Sequence, residues 1–475
     1  MKYRLPFYLV ALALVCHAPA QNVWEKRIAP GLLYRQEVRP DVPLVINAIR
    51  FSAGSPALKL AVCKSKDRVF DSTPDQGRET VTSMIRRENA LAGMNGDFFQ
   101  VPYTGDPLGT LVRSGELIST PIYPRAAFGW GGGAFQIAIP AWKGTLGING
   151  ADPVPFDGLN ETVGADKIDV EAPICGVYSA AAPNTTVYAK VSDGSFSPGG
   201  NLSLTVTSIA ADITGGTIPG DEVVLVASGS RAPVLAGLKA GDKIVANLGV
   251  DGFDWSKIAN VVGGGPVLVK DGAIAIDWKE ESFRDSFANK RYPRSAAGIT
   301  GSGDLWFVTV DGRQPHTYGA TLAELADIMH HLGCVQAMNF DGGGSAELAI
   351  AAGPLNRPSD GSERPIAEAF VVEPAQALEP APKADHTLSI QHPSHVNSGD
   401  SFNLSVVQAG RKVPNREVLW MSWGAGWVDQ GGTLHGFDSG TVQVAAFVRG
   451  VRVETTVTVG TGKGEGGMTK GTSDN

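Results

Sequence analysis

Most of the chain alternates short apolar runs with turns rich in glycine and proline, but two segments carry a helical pattern. In residues 78–89, the apolar side chains from Val81 to Ile85 repeat at helical spacing. The second segment opens with a Thr-Leu-Ala-Glu capping box at 321–324 and ends at Gly333. Each helix leads directly into a short apolar strand. The pattern therefore predicts an α+β main domain, in which helices pack against a mixed sheet.

The first twenty residues have the pattern of an export signal. Lys2 and Arg4 precede an apolar run over 5–15, and the small residues at 18–20 suit a signal peptidase. The apolar run is shorter than the ~20 residues that a membrane-spanning helix needs. We therefore expect residues 1–20 to be cleaved, the mature chain to lack an integral membrane segment, and the protein to be secreted or periplasmic.

The mature chain divides by composition into several parts. We assign residues 21–373 to the main domain, and within it the segment 135–215, rich in Gly, Pro, Asn and Thr, is predicted to be an insertion. A proline-containing linker spans 374–386. The short alternating strands of 387–459 predict an immunoglobulin-like β-sandwich, and the Gly- and Lys-rich residues 460–475 are predicted to be disordered. Because every chemical motif precedes the linker, we expect the sandwich to be dispensable for turnover of a small substrate.

Charge and composition exclude several classes of function. The 475 residues include 40 basic and 48 acidic side chains, and the formal charge of −8 gives no general attraction for nucleic acid. Without the leader, Cys63, Cys175 and Cys334 remain, an odd number that cannot form a disulfide framework. No zinc-protease, nucleotide-binding or serine-hydrolase motif occurs in a suitable context. We therefore expect neither a required metal nor a cofactor.

Four segments place polar residues directly after an apolar strand, and they are candidates for a functional site. They are Asn-Gly-Asp-Phe-Phe at 95–99, Tyr-Pro-Arg-Ser at 292–295, Val-Asp-Gly-Arg at 310–313 and Asn-Phe-Asp-Gly-Gly-Gly-Ser at 339–345. Three successive glycines let a backbone approach a ligand and turn its N–H groups toward an anion or a sugar oxygen. Taken alone, an Asp-Gly pair equally predicts a plain hairpin turn.

Topology favours the functional interpretation. A strand at 305–310, a helix at 322–331 and a strand at 335–340 form a unit whose right-handed crossover sets the two strands parallel. Asp311 and Asp341 would then emerge at the same edge of one sheet, where ligands bind in open α/β sheets.

Other polar residues are predicted to join this edge. The strand after the first helix would bring Asn95 and Asp97 to the same rim. Arg294 and Arg313 add the cations that bind a phosphate group.

The order of these motifs resembles that of the phosphodiester glycosidases over most of residues 40–373. The motifs that carry the resemblance are Asn-Gly-Asp-Phe-Phe at 95–99, Gly-Gly-Gly-Pro at 263–266 leading to Lys-Asp-Gly at 270–272, Pro-Arg-Ser-Ala-Ala-Gly at 293–298, Asp-Gly-Arg at 311–313, the glycine segment at 339–345 and Pro-Ser-Asp at 358–360. The resemblance implies that 21–373 is a phosphodiester glycosidase domain. Its substrate would be a sugar-phosphate diester or phosphoglycan of the cell envelope or extracellular space.

The resemblance also suggests roles for individual residues. The bond that breaks would be the sugar C1–O bond, with Asp341 and Asp311 as candidate catalytic carboxylates and Arg294 as the cation on the departing phosphate. The predicted substrate-binding residues are Asn95, Asp97, Arg313, His316, Asn339, Gly342, Gly343, Gly344 and Ser345.

Two other functions fit the same residues. The loops would also suit a protein that binds an anionic glycan without turnover. A phosphoesterase that breaks the P–O bond would use the same cations and glycines but would normally recruit a metal. The sugar, the aglycone and the retaining or inverting outcome stay open.

Overall fold

A computed structural model of the chain describes residues 22–71, 73–100, 104–376 and 387–460, together with the backbone of 468–470. Three of the four motif-bearing strands belong to an eight-stranded sheet, here called the central sheet, in which every pairing is antiparallel, and the fourth, Ala92–Asn95, belongs to another sheet. The order of its strands is Asn22–Ala29, Leu32–Arg39, Leu44–Phe51, Leu305–Val310, Arg294–Thr300, Cys334–Phe340, Val267–Lys270 and Ala273–Ile274.

The central sheet brings the ends of two motif strands to one edge. Leu305–Val310 and Cys334–Phe340 lie on either side of Arg294–Thr300, and both are antiparallel to it. The two outer strands therefore run in the same direction, as the crossover pattern predicts, but they are not direct neighbours. Asp311 and Asp341, the residues that follow them, reach the same edge of the sheet.

The helix between these two strands spans Leu322–His331. The predicted capping box is confirmed: Glu324 N donates to Thr321 Oγ1 at 3.1 Å, and Thr321 N donates to Glu324 Oε2 at 2.9 Å. The apolar face of the helix packs on the central sheet, in a cluster that includes Ala296 and Ala337. The helix thus covers one patch of this sheet.

The predicted α+β class is wrong, because the main body is mostly β. The other helices of the described residues are Val81–Arg87, Pro233–Ala236 and Asp285–Asn289, so the four helices found there have 10, 7, 4 and 5 residues. Short 3₁₀ turns lie at Ser65–Asp67, Pro173–Cys175, Gly229–Arg231, Gly343–Ser345 and Asn415–Glu417. Helices this short cannot form a layer, and the sheets bury their faces against one another instead.

Two five-stranded sheets complete the core around the central sheet. One has the strand order Glu116–Ser119, Leu111–Arg113, Asn260–Gly263, Ala127–Gly131 and Ala134–Ala138; the other has the order Gly353–Pro354, Leu348–Ile350, Ala92–Asn95, Glu368–Pro374 and Leu58–Lys64. Phe370 links the three sheets, since its ring centroid lies 5.0 Å from that of Phe340, 5.3 Å from that of Phe307 and 6.0 Å from that of Phe128. This aromatic contact lies in the core directly beneath the strand that ends at Asp341.

A second eight-stranded sheet has its own apolar cluster. Its strand order is Val154–Pro155, Thr145–Ile148, Lys243–Asn247, Asn201–Ala211, Asn184–Gly194, Glu222–Ser228, Ile168–Glu171 and Gly158–Leu159. Two-stranded sheets pair Ala141–Trp142 with Val250–Asp251 and Val177–Ser179 with Gly215–Thr217. The sheet draws strands from inside and outside the predicted insertion at 135–215, whose boundaries stay a prediction.

The C-terminal residues form three further sheets around an apolar cluster of their own. Residues 388–459, which supply every strand of these sheets except Met468–Lys470, are here called the C-terminal unit. The strand orders are Arg411–Lys412, Ser405–Gln408, Leu388–Pro393 and Met468–Lys470; His395–Val396, Val451–Val459, Gly440–Val448 and Val418–Gly424; and Ser401–Asn403, Thr433–Gly436 and Gly426–Val428. The unit contacts the main body: Lys26 Nζ donates to Val418 O, and Gln430 N donates to Gln36 Oε1 at 2.8 Å. The immunoglobulin-like assignment stays a prediction.

Several predicted segments lie outside the described residues. These are the export signal at 1–20, most of the linker at 374–386 and most of the tail at 460–475. Within the described part of the chain, no helix combines the length and the apolar character needed to cross a bilayer. Cys63, Cys175 and Cys334 are free and buried.

Candidate active site

The glycine segment after Phe340 forms a close-packed turn at the edge of the central sheet. A Cβ on Gly342 would lie 2.5 Å from Pro293 O, and a Cβ on Gly344 would lie 2.1 Å from a guanidinium nitrogen of Arg364. Gly343 has φ +62°, in the left-handed region that favours glycine. Larger residues would therefore displace the backbone from these neighbours.

The hydrogen bonds of this turn define which donors stay free. Gly342 N donates to Asp341 Oδ1 at 2.8 Å, and Gly343 N donates to Pro293 O at 2.9 Å. Gly344 N has no acceptor among the described residues. Of the three glycine N–H groups predicted to face a ligand, only that of Gly344 is therefore left to donate to one.

The turn borders an open cavity of about 580 Å³. Among the described residues that line it, Asp341 is the only carboxylate, and the charged and aromatic side chains around it are Arg125, Arg284, Arg294, Arg313, Arg364, Phe98, Tyr123, Phe283, Phe287 and Tyr292. A basic, aromatic-lined cavity in a chain of net charge −8 is a site for an anionic ligand with apolar faces.

The main chain of Asp341 is fixed by two hydrogen bonds, and the pKa of its carboxyl is raised. Asn95 Nδ2 donates to Asp341 O at 2.7 Å, and Asp341 N donates to Gly96 O at 3.2 Å. Burial raises the pKa of Asp341 to about 6, although the Ser345 hydroxyl, the Gly342 N–H and the Arg364 cation oppose the increase. The carboxylate is therefore ionised at neutral pH and becomes protonated in mildly acidic solution.

Arg313 reaches the glycine turn from a second loop. Its own φ is +58°, and a Cβ on Gly343 would lie 3.2 Å from Arg313 Nη2. Arg313 is exposed and forms no ion pair with a carboxylate of the described residues. Arg313 therefore places an unpaired guanidinium beside the glycine turn at the cavity, where a phosphate could bind, and its phosphate-binding role stays a prediction.

Arg294 also lines the cavity, but most of its donors are occupied. Its side chain is 1% exposed, Nε donates to Ala320 O at 2.9 Å, and Nη2 donates to Phe287 O at 2.5 Å and Lys290 O at 3.1 Å. Burial lowers the pKa of Arg294 to about 10, so the group stays charged. Its visible role is to join three main-chain segments of the cavity wall.

Three other predicted ligand-binding residues lie beneath the turn. Asn95 Oδ1 accepts from Ser295 Oγ at 2.7 Å and from Glu347 N at 3.0 Å, so this amide joins neighbouring strands. Asn339 Nδ2 donates to Gly265 O at 2.8 Å. Ser345 is 2% exposed. These residues shape the site from below and are absent from the cavity lining.

Asp97 belongs to a buried carboxyl pair next to Asp341. Asp97 N donates to Glu368 Oε1 at 2.7 Å, while Asp97 Oδ2 and Glu368 Oε2 accept no hydrogen bond in the described structure. Burial raises the pKa of Asp97 to about 7 and that of Glu368 to about 8. Gly109 and Gly263 pack on Asp97, since a Cβ on either would lie within 2.3 Å of its Oδ2. Asp97 is therefore enclosed and does not line the cavity.

Asp311 lies at the same sheet edge but does not line the cavity. Its carboxylate accepts from Asn356 Nδ2 at 3.1 Å, from Asn47 Nδ2 at 3.3 Å and from Arg357 N at 3.2 Å. Burial raises its pKa to about 7. Its main-chain oxygen accepts from Thr317 Oγ1 at 2.7 Å, so Asp311 closes the loop that carries Arg313.

His316 points to the C-terminal unit. Its ring stacks between Trp427 and Phe437, with centroid distances of 4.7 and 4.6 Å. Neither ring nitrogen has a hydrogen-bond partner in the described structure, and burial together with the Arg357 and His435 cations lowers its pKa to about 3. The structure thus does not bring His316 to the cavity.

Sequence reasoning missed Arg125 and the aromatic wall. Arg125 lies 4.0 Å from the Phe283 ring centroid and 4.4 Å from that of Tyr123. A signal was present, because Tyr-Pro-Arg occurs at 123–125 and again at 292–294, each time at the start of a strand. No pattern in the chain identifies Phe283 as a member of the same wall.

Metal ligands do not gather at this site. In the ranges that the structure describes, no group of three or more His, Cys, Asp or Glu side chains is arranged to hold a metal ion.

Several known proteins resemble the chain in sequence or fold. The SPbeta prophage-derived uncharacterized protein YomE of Bacillus subtilis (strain 168) is 34% identical over 84 residues, a match that spans 18% of this chain and 13% of that protein. A crystal structure of a hypothetical protein from Synechocystis has a TM-score of 0.62 at 21% identity, covering 74% of this chain and 63% of the other. A putative exported protein from Burkholderia pseudomallei K96243 has a TM-score of 0.60 at 20% identity, covering 70% and 74%. The two structures establish similarity of fold alone.

The family model described as phosphodiester glycosidase matches residues 185–373. The matched region includes Arg294, Arg313 and Asp341, while Asp97 and Arg125 precede it. The match supports glycosidase-type hydrolysis in general terms. It also confirms, over residues 185–373, the resemblance to the phosphodiester glycosidases that the motifs indicate.

Proposed function

We propose that the protein is a secreted or periplasmic glycosidase that hydrolyses the sugar C1–O bond of a sugar-1-phosphodiester in cell-envelope or extracellular glycans. One observation carries the proposal: a cavity whose single lining carboxylate among the described residues, Asp341, lies beside arginines and a glycine turn. The family match over 185–373 supports it. The proposed location rests on the export-signal pattern at 1–20.

The leaving group explains why arginines suit this site. A phosphate monoester has a second pKa near about 6, so it departs from C1 without a strong general acid. Arg313 has no carboxylate partner among the described residues and is available to neutralise the departing oxygens. The N–H group of Gly344, in the glycine turn next to Arg313, is a further donor without an acceptor among the described residues. Both groups stabilise charge that develops on the phosphate as the bond breaks.

Asp341 supplies the carboxylate that such a reaction needs. The water oxygen bonds to C1, the C1–O bond breaks, and its electron pair leaves on the phosphate oxygen. In an inverting reaction Asp341 accepts the water proton, whereas in a retaining reaction it first bonds to C1 and water then displaces it. Both routes require the ionised form, which predominates at neutral pH because the pKa of Asp341 is about 6.

Hydrolysis in ¹⁸O-labelled water tests which bond breaks. With a chromogenic sugar-1-phosphodiester as substrate, we expect the label in the sugar and none in the phosphate, measured by mass spectrometry of both products. Label in the phosphate would instead show cleavage of the P–O bond, and loss of turnover with a chelator would accompany it. Tight binding of the same compound without any product would show a glycan-binding protein and refute the hydrolase.

A further inference from the structure

The wall of the cavity is a continuous series of stacked cations and rings. Arg125 lies 4.0 Å from the Phe283 centroid, and the Phe283 and Phe287 rings stack at 4.9 Å with an interplanar angle of 20°. Arg294 follows, 4.6 Å from Phe287 and 5.4 Å from Tyr292. Arg313 closes the series at 5.6 Å from Tyr292. Cations and rings stabilise one another in such stacks, so the wall is fixed in shape before a ligand arrives.

The three arginines of this wall differ in how many donors are free. Arg294, in the middle, donates to three main-chain oxygens. Arg125, at one end, donates from Nε to Glu281 O at 3.3 Å, and its two terminal nitrogens have no hydrogen-bond partner among the described residues. Arg313, at the other end, forms no ion pair with a carboxylate of the described residues. The wall therefore presents two available guanidinium groups separated by aromatic rings.

The surroundings of Arg125 fit it for an external anion. Its guanidinium is packed against Phe283 and Tyr123 and lies 5.3 Å from the Phe98 centroid, which fixes its orientation. The carboxyls of Asp97 and Glu281 act on it electrostatically, but neither forms an ion pair with its guanidinium in the described structure. A fixed, half-buried and unpaired guanidinium is a strong site for phosphate or carboxylate oxygens.

We propose that the cavity takes a glycan carrying a second anionic group besides the scissile phosphodiester, and that Arg125 binds this second group. The sugar between the two anions lies against Phe283 and Phe287, which both line the cavity. A sugar with phosphates on two positions, or a chain of phosphodiester-linked sugars, has this chemistry. The inference rests on the proposed function for the assignment of the Arg313 end to the scissile bond.

Binding of two small sugar phosphates tests the second subsite without turnover. By calorimetry, we expect the wild-type protein to bind glucose 1,6-bisphosphate at least about 10-fold more tightly than glucose 1-phosphate, since the second phosphate accepts charge-assisted hydrogen bonds from Arg125. Arg125→Met keeps the packing of the stem and removes the charge, and it should abolish this preference. Arg125→Lys should restore part of it, and Arg411→Gln, an exposed arginine of the C-terminal unit, should leave it unchanged.

The outcomes separate the second subsite from the reaction. Equal binding of the two phosphates, binding of neither, or a preference that survives in Arg125→Met overturns the second subsite. Glucuronic acid 1-phosphate identifies the anion: a gain equal to that of the bisphosphate assigns Arg125 to anions in general, and a smaller one assigns it to phosphate. Hydrolysis without a bisphosphate preference refutes the subsite alone. A bisphosphate preference without hydrolysis of any sugar-1-phosphodiester refutes the proposed function alone.

Discussion

The loops that begin at Asp311 and Asp341 look alike in sequence and differ in the folded protein. Each follows a strand of the central sheet, each opens with Asp-Gly, and both reach the same sheet edge. The Asp341 carboxylate lines the cavity beside the glycine turn. Asp311 is 2% exposed, and its carboxylate accepts hydrogen bonds from three donors on two neighbouring segments.

The difference shows that two aspartates at one sheet edge can have different roles, one at the cavity and one in the structure that supports it. Asp341 has few partners and faces space that a ligand can enter, whereas Asp311 holds the loop that carries Arg313. That loop is also fixed from outside, because His316 stacks against the C-terminal unit and Arg357 Nη1 donates to Gly426 O at 2.5 Å. The expectation that the C-terminal sandwich is dispensable therefore has a structural argument against it.

The largest expected effect separates the two aspartates by activity. Asp341→Asn keeps an oxygen for the Gly342 N–H but removes the negative charge, so kcat on a sugar-1-phosphodiester should fall about 10²-fold or more with an unchanged melting temperature. Steady-state kinetics and thermal unfolding measure the two effects. Asp152→Asn, at an exposed position, is the matched control. Near-normal turnover in Asp341→Asn would remove Asp341 from the reaction.

Asp311→Asn should show the opposite profile. The new amide presents N–H groups to donors from Asn47, Asn356 or Arg357, so a buried hydrogen bond is lost and the free energy of unfolding falls by about 1–3 kcal/mol. Denaturant unfolding measures the loss. The folded variant should lose far less turnover than Asp341→Asn. If stability were unchanged while activity disappeared, Asp311 would take part in the chemistry and the comparison would fail.

The pH dependence of activity sharpens the assignment of Asp341. Because a carboxylate with a pKa of about 6 must be ionised to act, kcat/KM should decrease about 10-fold per pH unit below 6 and level off above it. The Arg364 cation lowers the pKa of Asp341, so Arg364→Gln should move this limb to higher pH. A profile that is flat between pH 5 and 7 in the wild-type protein would contradict the role of this carboxylate.

The smallest expected effect tests the support of the Asp311 loop by the C-terminal unit. Trp427→Ala removes one ring from the His316 stack, which should loosen Arg313 and lower kcat/KM by about 2- to 10-fold, the range that one aromatic contact supports. Phe402→Ala is the control, since Phe402 packs within the same unit away from this stack. Equal kinetics in the two variants would show that the unit does not act on the site.

Prediction from sequence succeeded for features that depend on neighbouring residues or on the direction in which the chain runs. The capping box at 321–324 formed as predicted because its two hydrogen bonds lie within four residues. The same-edge placement of Asp311 and Asp341 followed from one crossover. The fold class failed because two correct helical patterns do not reveal how many sheets the remaining runs form, and sheet pairing joins distant segments.

The sequence by itself determined the order of the motifs, their resemblance to the phosphodiester glycosidases and the strand ends at which Asp311 and Asp341 appear. Only the tertiary structure decided that Asp341 faces a cavity while Asp311 is buried. It also decided that Arg294 is bound to main-chain oxygens, while the guanidinium of Arg313 and the terminal nitrogens of Arg125 have no hydrogen-bond partner among the described residues. The physical reason is that the burial and free donors of a side chain depend on neighbours from remote segments. Phe283 and Arg125, for example, meet only because separate stretches of the chain pack into one wall.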